Sequence, residues 1–188
     1  LNDDEILAFW RGLESIDIYP ATRLALRLVL ITGQRPGEVA GMSWAELSGD
    51  VWTIPPERMK NGLEHKVPLV GTALDLLDEA RNILGGEEYV FASSRNGGKN
   101  AITVRSLARS VTRHHVEMGV KDAFVPHDLR RTVRTRLAEL GVDDVVAEKV
   151  LGHQLQGILK VYNQHQYAQE KRAALLTWER RLRGILGL

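Results

Sequence analysis

Residues 21–38, ATRLALRLVLITGQRPGE, join a long apolar run to a short polar corner. The run 21–32 has the length and character of a buried helix, and Gly33 after it is a natural C-cap because glycine adopts the left-handed conformation without strain. Pro36 suits the first turn of a following helix, and Glu38 lies favourably near the positive end of that helix. The pattern therefore places Arg35 in a tight corner between two helices.

Helical patterns continue on both sides of this corner. The sequence predicts further helices over residues 2–13, 36–44, 72–84, 103–118, 128–140, 143–151 and 168–183. Two short strands are predicted at 51–54 and 66–70, with Asn61-Gly62 as turn chemistry between them, so Lys60 is expected at the tip of a hairpin. The polar, glycine-rich stretch 93–100 is predicted to be a loop and is the best candidate for a mobile segment. The predicted fold class is mainly α with a small antiparallel β-sheet (α+β).

Length and composition narrow the class of protein. The chain has 188 residues, 44% of them hydrophobic, which suits one compact domain over residues 1–188. It opens on Leu1 with a capped-helix pattern, so we expect a piece of a longer protein. Without cysteine it has no disulfide framework, thiolate metal site or cysteine nucleophile. No apolar run approaches the length of about 18 residues that spans a bilayer, and no signal peptide is visible, so a cytosolic location is expected.

The distribution of charge is more informative than its sum. A net charge of +1 does not by itself indicate a nucleic-acid-binding protein. Basic residues nevertheless cluster in two successive stretches, 105–115 and 121–136, while acidic residues gather at 3–5 and 75–79. This arrangement favours a basic surface opposite a more acidic one, although ordinary solvated helix faces would give the same pattern.

Polar residues scattered along the chain could together cleave a phosphodiester. Its transition state gathers negative charge on the non-bridging oxygens, and the planar guanidinium of arginine fits such oxygens in a bidentate way. Arg35 and Arg130 are the candidates for this clamp. Tyr162 could form and later release a phosphoester, but a phenol with a pKa of about 10 needs a base or a positive field to ionise at neutral pH. His127 is the candidate base, and Lys60 could deliver a proton to the leaving oxygen.

Each of these residues also has an ordinary structural explanation. Arg35 could cap backbone carbonyls, Lys60 could be a solvated hairpin residue and His127 could cap the next helix. Arg130 could pair with Asp128 or Glu139 on the surface. His153 could be a packed residue at a helix end, and Tyr162 could be an amphipathic core residue. Only the joint pattern favours a catalytic set.

That joint pattern resembles the tyrosine recombinase, or phage-integrase, family over nearly the whole chain. TGQRPGE resembles the first-arginine box of the family, HDLRR its His-x-x-Arg box, and LGH at 151–153 followed by Tyr162 its C-terminal box. The segments RPGE, RMKNG, HKVPL and YNQHQYAQEKRAAL further resemble integrases of prophages and genomic islands.

The resemblance implies a tyrosine-recombinase catalytic-domain fold and a role for each matching residue. Arg35, Arg130 and His153 would bind the scissile phosphate, Lys60 would act as general acid and His127 would assist as base. Tyr162 would form a 3′-phosphotyrosyl bond and release a 5′ hydroxyl, with no metal and no cofactor.

The resemblance also implies partners and a setting. These are double-stranded DNA at attachment or core sites in the cytoplasm of a bacterial host, a homotetramer on DNA in the full-length protein, and accessory directionality proteins. Arm-binding and core-binding domains would precede the chain, and no membrane would be involved. The expected function is site-specific recombination that integrates or excises a prophage or genomic island.

Several alternatives stay open on the sequence alone. A type IB topoisomerase uses the same tyrosine chemistry to relax DNA, and a catalytically silent DNA-binding module could retain the same residues. A metal hydrolase built from the histidines is the weakest alternative, because no HExxH or comparable ligand spacing occurs. Tyr167 is a rival nucleophile, although its spacing from His153 does not match the family pattern.

Overall fold

A computed structural model describes residues 1–154 and 165–188. Tyr162, the predicted nucleophile, lies outside the described residues. The helices are α1 (Asp3–Ser15), α2 (Pro20–Thr32), α3 (Pro36–Ala40), α4 (Gly71–Leu84), α5 (Val104–His114), α6 (Pro126–Glu139), α7 (Asp144–Val150) and α8 (Ala168–Leu186). The strands are β1 (Leu47–Ser48), β2 (Val51–Ile54) and β3 (His65–Pro68). The predicted fold class, mainly α with a small antiparallel sheet, is confirmed.

Helix α2 lies at the centre of the core. Every residue from Leu24 to Thr32 is buried, and the helix packs against α4, α6 and α8. The indole Nε1 of Trp178, on α8, donates to the carbonyl oxygen of Leu30 at 2.9 Å across this interface. Apolar burial of this extent is the main stabilising contribution, at about 25 cal/mol per Å² removed from water. The corner that follows α2 is therefore held on a rigid support.

The sheet is antiparallel, with the strands in the order β1-β2-β3. Val51 pairs with Pro68 and Ile54 pairs with His65, so the ten-residue segment 55–64 connects the two longer strands. Within this connection, the N–H of Gly62 donates to the carbonyl of Met59 at 3.0 Å. Gly62 has a positive φ of 67°, which is the conformation expected of glycine in such a turn. Lys60 therefore lies in a tight turn within a longer connection.

Helix α8 is fastened to the sheet and to α4 by buried polar groups. The Lys171 ammonium donates to the carbonyl of Lys66 at 2.5 Å. The Glu179 carboxylate accepts from the backbone N–H of Thr72 at 2.5 Å and from its hydroxyl at 2.6 Å, which caps the first turn of α4. These contacts fix the helix that follows the undescribed segment.

Element boundaries differ from the sequence prediction in several places. The strand predicted at 66–70 is observed at His65–Pro68, and the helix predicted from residue 128 begins at Pro126. The helix predicted over 36–44 ends at Ala40 and is followed by a 3₁₀ turn, Trp44–Glu46. The helix predicted over 103–118 ends at His114, and the N–H of Gly119 donates to Val116 in the turns beyond it. The stretch predicted as a loop contains a short 3₁₀ helix, Arg95–Gly98. None of the helices in the described ranges is long and apolar enough to cross a membrane.

Candidate active site

The corner between α2 and α3 holds Arg35 as predicted. Gly33 ends α2 in the left-handed conformation with φ 68°, and Pro36 begins α3. The Glu38 carboxylate accepts from the backbone N–H of Arg35 at 3.0 Å and from its Nη1 at 2.6 Å. The Arg35 side chain remains 22% exposed, whereas Glu38 is buried. Glu38 thus orients the guanidinium and leaves part of it open to a ligand.

Arg130 turns into the protein beside Arg35. Its Nη1 donates to the carbonyl of Gly33 and its Nη2 to the carbonyl of Leu151, each at 2.8 Å. Burial and the nearby charge of Arg35 lower the pKa of Arg130 to about 10, so it is still a cation at neutral pH. The surface ion pairs considered for Arg130 are formed instead by its neighbours, Arg131 with Asp128 and Arg136 with Glu139.

His153 joins this pair from the end of α7. Its Nε2 lies 2.6 Å from Nη2 of Arg130, and its Nδ1 is hydrogen-bonded to the Glu148 carboxylate. Gly152 before it has φ 67°, and a Cβ there would lie 3.0 Å from the His65 ring, so this position requires glycine. Two predicted phosphate-binding residues, Arg130 and His153, are therefore in direct contact, and the charge of the third, Arg35, is close enough to lower the pKa of Arg130.

A cleft of about 550 Å³ opens beside this cluster. Arg35, Lys60 and His127 all line it, together with apolar residues that include Val104 and Val125. The structure therefore brings the predicted acid and the predicted base to the same cavity as one of the predicted arginines. Its volume suits a backbone phosphate with part of the adjoining sugars.

His127 is exposed at the start of α6, in the first turn. Partial burial lowers the pKa of His127, and the positive charges of Arg130 and Arg131 lower it further. A neutral imidazole can accept a proton, which is the state a general base needs at neutral pH. The alternative role for His127, capping α6, is filled by Asp128, which accepts from the N–H of Val125 at 2.9 Å.

The Lys60 turn is connected to the His153 segment by a side chain. Asn61 Nδ2 donates to the carbonyl of Gly152 at 3.2 Å, and its Oδ1 accepts from the N–H of Leu63 at the same distance. The exposed Lys60 side chain is therefore carried on a turn that is connected to the segment of His153, one of the predicted phosphate-binding residues, rather than on a free hairpin tip.

Tyr167, the rival nucleophile, begins α8 with φ 53°, an uncommon conformation for a residue other than glycine. Its ring lies 4.6 Å from the His165 ring and 5.7 Å from the Lys149 ammonium, measured to ring centroids. It does not line the cleft that holds Arg35, Lys60 and His127.

Sequence reasoning missed the residues that position the site. Glu38 was noted only for its place near the start of a helix. Its closeness to Arg35 in RPGE was the signal that could have indicated the contact between them. Glu148 and Asn61 gave no local signal, because their partners lie in other elements. Among residues 1–154 and 165–188, no group of three or more His, Cys, Asp or Glu side chains is placed to hold a metal ion.

Comparison with protein families identifies the family of this chain. The model of the phage integrase family matches residues 1–169. The chain belongs to the phage integrase family. Prophage integrase IntA of Escherichia coli (strain K12) is 28% identical over 183 residues, which cover 95% of this chain and 43% of that integrase. The chain thus spans less than half the length of this curated relative.

Solved structures of the family share the fold. The lambda integrase catalytic core is 29% identical with a TM-score of 0.67, and the match covers 81% of this chain and 94% of that structure. A lambda integrase tetramer bound to a Holliday junction is 26% identical with a TM-score of 0.65, covering 89% of this chain and 48% of that one. The helical domain with its three-stranded sheet is therefore the catalytic-core fold of the integrase family.

Proposed function

We propose that this chain performs the strand cleavage and rejoining of site-specific DNA recombination through a 3′-phosphotyrosyl intermediate, without a cofactor. The observation that supports this most directly is the convergence of Arg35, Arg130 and His153 beside a cleft that also holds Lys60 and His127. Arg35, Arg130 and Lys60 are cations, and the cleft of about 550 Å³ has room for a backbone phosphate with part of the adjoining sugars.

The charge around Arg130 favours an anion in the cleft. No carboxylate forms an ion pair with Arg130 in the described part of the chain. The carboxylates that act on it electrostatically, Glu38 and Glu148, are already hydrogen-bonded to other groups. A buried guanidinium without a counter-ion is costly, and a bound phosphate would supply the missing charge.

The proposed reaction uses Lys60 and His127 of the cleft together with Tyr162. The Tyr162 oxygen attacks the scissile phosphorus and its proton passes to His127, while the bond from phosphorus to the 5′ oxygen breaks. Lys60 gives a proton to that oxygen, which leaves as a 5′ hydroxyl. The 5′ hydroxyl of a partner strand later attacks the phosphotyrosyl bond and releases Tyr162. One phosphodiester is broken and one is formed, so no external energy source is required.

A basic helix next to the cleft supports DNA as the substrate. Val104 and Ala108 of α5 line the cleft, and Arg105, Arg109 and Arg113 are exposed on the same helix. Within the described residues none of these three arginines forms an ion pair. Each phosphate contact by such a residue would steepen the dependence of DNA affinity on salt by about one unit of log–log slope.

The partners are proposed by analogy with solved relatives. Since a lambda integrase tetramer is known on a Holliday junction, we propose that the full-length protein acts as a homotetramer on paired attachment sites. Chromosomal or prophage DNA in the bacterial cytoplasm would be its substrate, with accessory proteins setting the direction. The chain is proposed to be the catalytic domain over residues 1–188.

Covalent trapping tests this function. The protein is incubated without metal, in EDTA, with a pool of nicked suicide duplexes of randomised sequence, and denaturing gels detect a DNA adduct. We expect an adduct with the wild-type chain, none with Tyr162→Phe, and wild-type yield with Tyr167→Phe. Loss of the adduct in Tyr167→Phe alone would overturn the assignment of the nucleophile.

The same assay distinguishes the other outcomes. Binding to DNA with no adduct in the wild-type chain would indicate a silent binding module and overturn the proposal. Relaxation of supercoiled plasmids of any sequence, with no recombinant product from paired sites, would indicate a topoisomerase. Adduct formation that EDTA abolishes would contradict the metal-independent step.

A further inference from the structure

Glu148 lies between two residues of the site and contacts both. Its Oε2 is hydrogen-bonded to Nδ1 of His153, and its Oε1 accepts from Nε of Arg134 at 2.8 Å. Arg134 is one helical turn after Arg130 on α6, and its Nη2 also donates to Asp144 at 2.8 Å. Glu148 therefore connects His153 to the helix that presents Arg130.

The hydrogen bonds determine which protons His153 carries. An arginine can only donate, so Nε2 of His153 accepts from Nη2 of Arg130. A carboxylate accepts, so Nδ1 of His153 carries the proton that is donated to Glu148. In this arrangement the ring has no N–H left to donate to a phosphate. To bind one as a donor, His153 must release Arg130 and take up a proton at Nε2.

We propose that Glu148 is a positioning residue that holds His153 through Nδ1 while Nε2 exchanges Arg130 for the scissile phosphate. This inference rests on the proposed function. The proton gained at Nε2 comes from solvent, and the resulting imidazolium donates one N–H to Glu148 and the other to a phosphate oxygen. The same exchange frees Arg130 Nη2, so His153 Nε2 and Arg130 Nη2 can both donate to the phosphate.

The charges around His153 explain why a carboxylate is required. Most charged side chains near His153 are positive. They are Arg130 and Arg134 from α6, Lys149 from α7, Lys66 from β3 and Lys171 from α8. Besides Glu148, a further acidic side chain in this region is that of Glu64, which precedes β3. A new positive charge on the ring would be repelled by these cations. Glu148 is in direct contact with the ring and compensates for that charge.

Glu148 is ionised when it does this. Burial alone would raise the pKa of Glu148, but the hydrogen bonds from Arg134 and His153 outweigh burial and hold the pKa below its ordinary value. Arg134 also fixes the carboxylate geometrically, because it is bonded at Nε to Glu148 and at Nη2 to Asp144. The interaction is a carboxylate–imidazole pair in which the carboxylate orients the ring and stabilises its cation.

Three variants test this role: Glu148→Ala, Glu148→Gln and Asp144→Asn. The alanine variant loses both position and charge. Glutamine loses the charge and keeps one oxygen that can accept from Nδ1, but its amide NH2 then faces the Arg134 Nε donor. Asp144→Asn removes the other carboxylate bonded to Arg134, is 82% exposed and does not touch His153, so it is the matched control. Single-turnover adduct formation on saturating suicide duplex gives the cleavage rate, and native gels give the DNA affinity.

We expect Glu148→Ala to slow cleavage by about 10- to 100-fold with DNA affinity within about 3-fold of wild type, as is usual for residues that orient a site. Glu148→Gln should be intermediate near pH 6. As pH rises, its cleavage rate should begin to fall at a lower pH than the wild-type rate, because the proposed cation has lost its compensating charge. Asp144→Asn should keep the wild-type rate and profile.

The outcomes separate the two proposals. No adduct from the wild-type chain would overturn the proposed function. A normal wild-type adduct with an unchanged rate in Glu148→Ala would overturn only the role of Glu148. Equal slowing in Glu148→Ala and Asp144→Asn, with unchanged pH profiles, would show that Arg134 and the fold are responsible, and would also overturn it. If Glu148→Ala fails to fold in a thermal melt, the Glu148→Gln profile decides.

Discussion

Two arginines near the α2–α3 corner have similar hydrogen bonds and opposite electrostatic surroundings. Arg58 donates through Nη2 to the carbonyl of Glu38 and through Nη1 to the Glu46 carboxylate, which also accepts from Trp52 Nε1 at 2.8 Å. Arg130 likewise donates to backbone carbonyls, but no carboxylate is bonded to it. The first guanidinium is neutralised within the fold and the second is not.

The difference separates Arg58, a cation with a structural role, from Arg130, a cation that we propose binds a ligand. Arg58 stabilises the connection between β2 and β3 because its charge and donors are satisfied inside the protein. Arg130 has donors that hold the site together, and no carboxylate in the described structure is bonded to it. The missing bonded counter-ion, rather than burial or hydrogen bonding, is the feature that supports the proposed binding of a phosphate by Arg130.

The strongest test of this contrast is Arg130→Lys. A lysine cannot hold both carbonyls and a phosphate, so we expect single-turnover cleavage to fall by about 10²–10³. Arg131→Lys is the matched control on the same helix, since Arg131 is 72% exposed and paired with Asp128. Its rate should stay within about twofold of wild type. A rate within tenfold of wild type for Arg130→Lys would remove the distinction between the two arginines.

The converse test is Arg58→Leu. The Glu46 side chain is only 10% exposed and would lose its cation, so the free energy of unfolding should fall by about 2 kcal/mol, less than for a fully buried pair because Arg58 is 23% exposed. Urea titration measures this change, with Arg58→Lys as a milder variant. Cleavage per folded molecule should stay within a few-fold of wild type. Arg58 also lines the cleft, so a large loss of cleavage with unchanged stability would show that it acts on the substrate directly.

A pH experiment measures how strongly the Arg130 region excludes further positive charge. Burial, with help from the charge of Lys171, lowers the pKa of His65 to about 3, and its Nε2 lies 3.2 Å from the Val150 carbonyl. The His65 imidazole binds a proton near pH 6.5 in the unfolded state but stays neutral at that pH in the folded state. Stability should therefore fall as pH drops below about 6.5, by about 2 kcal/mol at pH 5.

The control for this prediction is His65→Gln, which keeps a donor for the Val150 carbonyl and does not titrate. Urea unfolding of both proteins between pH 7 and pH 5 cancels contributions from the carboxylates. The wild-type curve should be steeper by about one bound proton. Parallel curves would mean that His65 is protonated in the folded protein and that the region tolerates more charge than proposed.

The smallest expected effect concerns the connection between Lys60 and the arginine site. Asn61→Ala removes the hydrogen bond to the Gly152 carbonyl, worth about 1 kcal/mol, so cleavage should fall by about fivefold while DNA affinity is unchanged. Leu63→Ala, in the same turn and 54% exposed, is the control and should match wild type. Equal rates for the two variants would show that the Lys60 turn is positioned independently of Gly152.

Local chemistry accounts for what the sequence predicted correctly. The bounds of β2 were predicted at 51–54, as observed. The end of α2 at Gly33 and the start of α3 at Pro36 follow from the backbone preferences of those two residues. The roles assigned to the predicted site residues remain predictions. The structure does place Arg35, Arg130 and His153 together and Lys60 and His127 in the adjoining cleft.

Long-range packing accounts for what the sequence did not predict. The β1 strand, Leu47–Ser48, is too short to show alternation. Asp128 and Glu139 were considered as surface partners of Arg130, yet its side chain turns inward and donates to the carbonyls of Gly33 and Leu151. Glu148 pairs with a histidine beyond the end of its own helix. Such partners are chosen by tertiary structure, which no local pattern encodes.

The indole hydrogen bond from Trp178 to Leu30 has a consequence for biosynthesis. Trp178 is completely buried and lies on α8, whereas Leu30 belongs to the helix that supports the arginine corner. A growing chain on the ribosome therefore cannot complete the core around α2 until α8 has emerged. Domains generally fold as units as they are synthesised, so we expect Arg35, Arg130 and His153 to come together only after α8 has emerged. A translation product that lacks α8 is expected to remain unfolded around α2 and to be proteolysed.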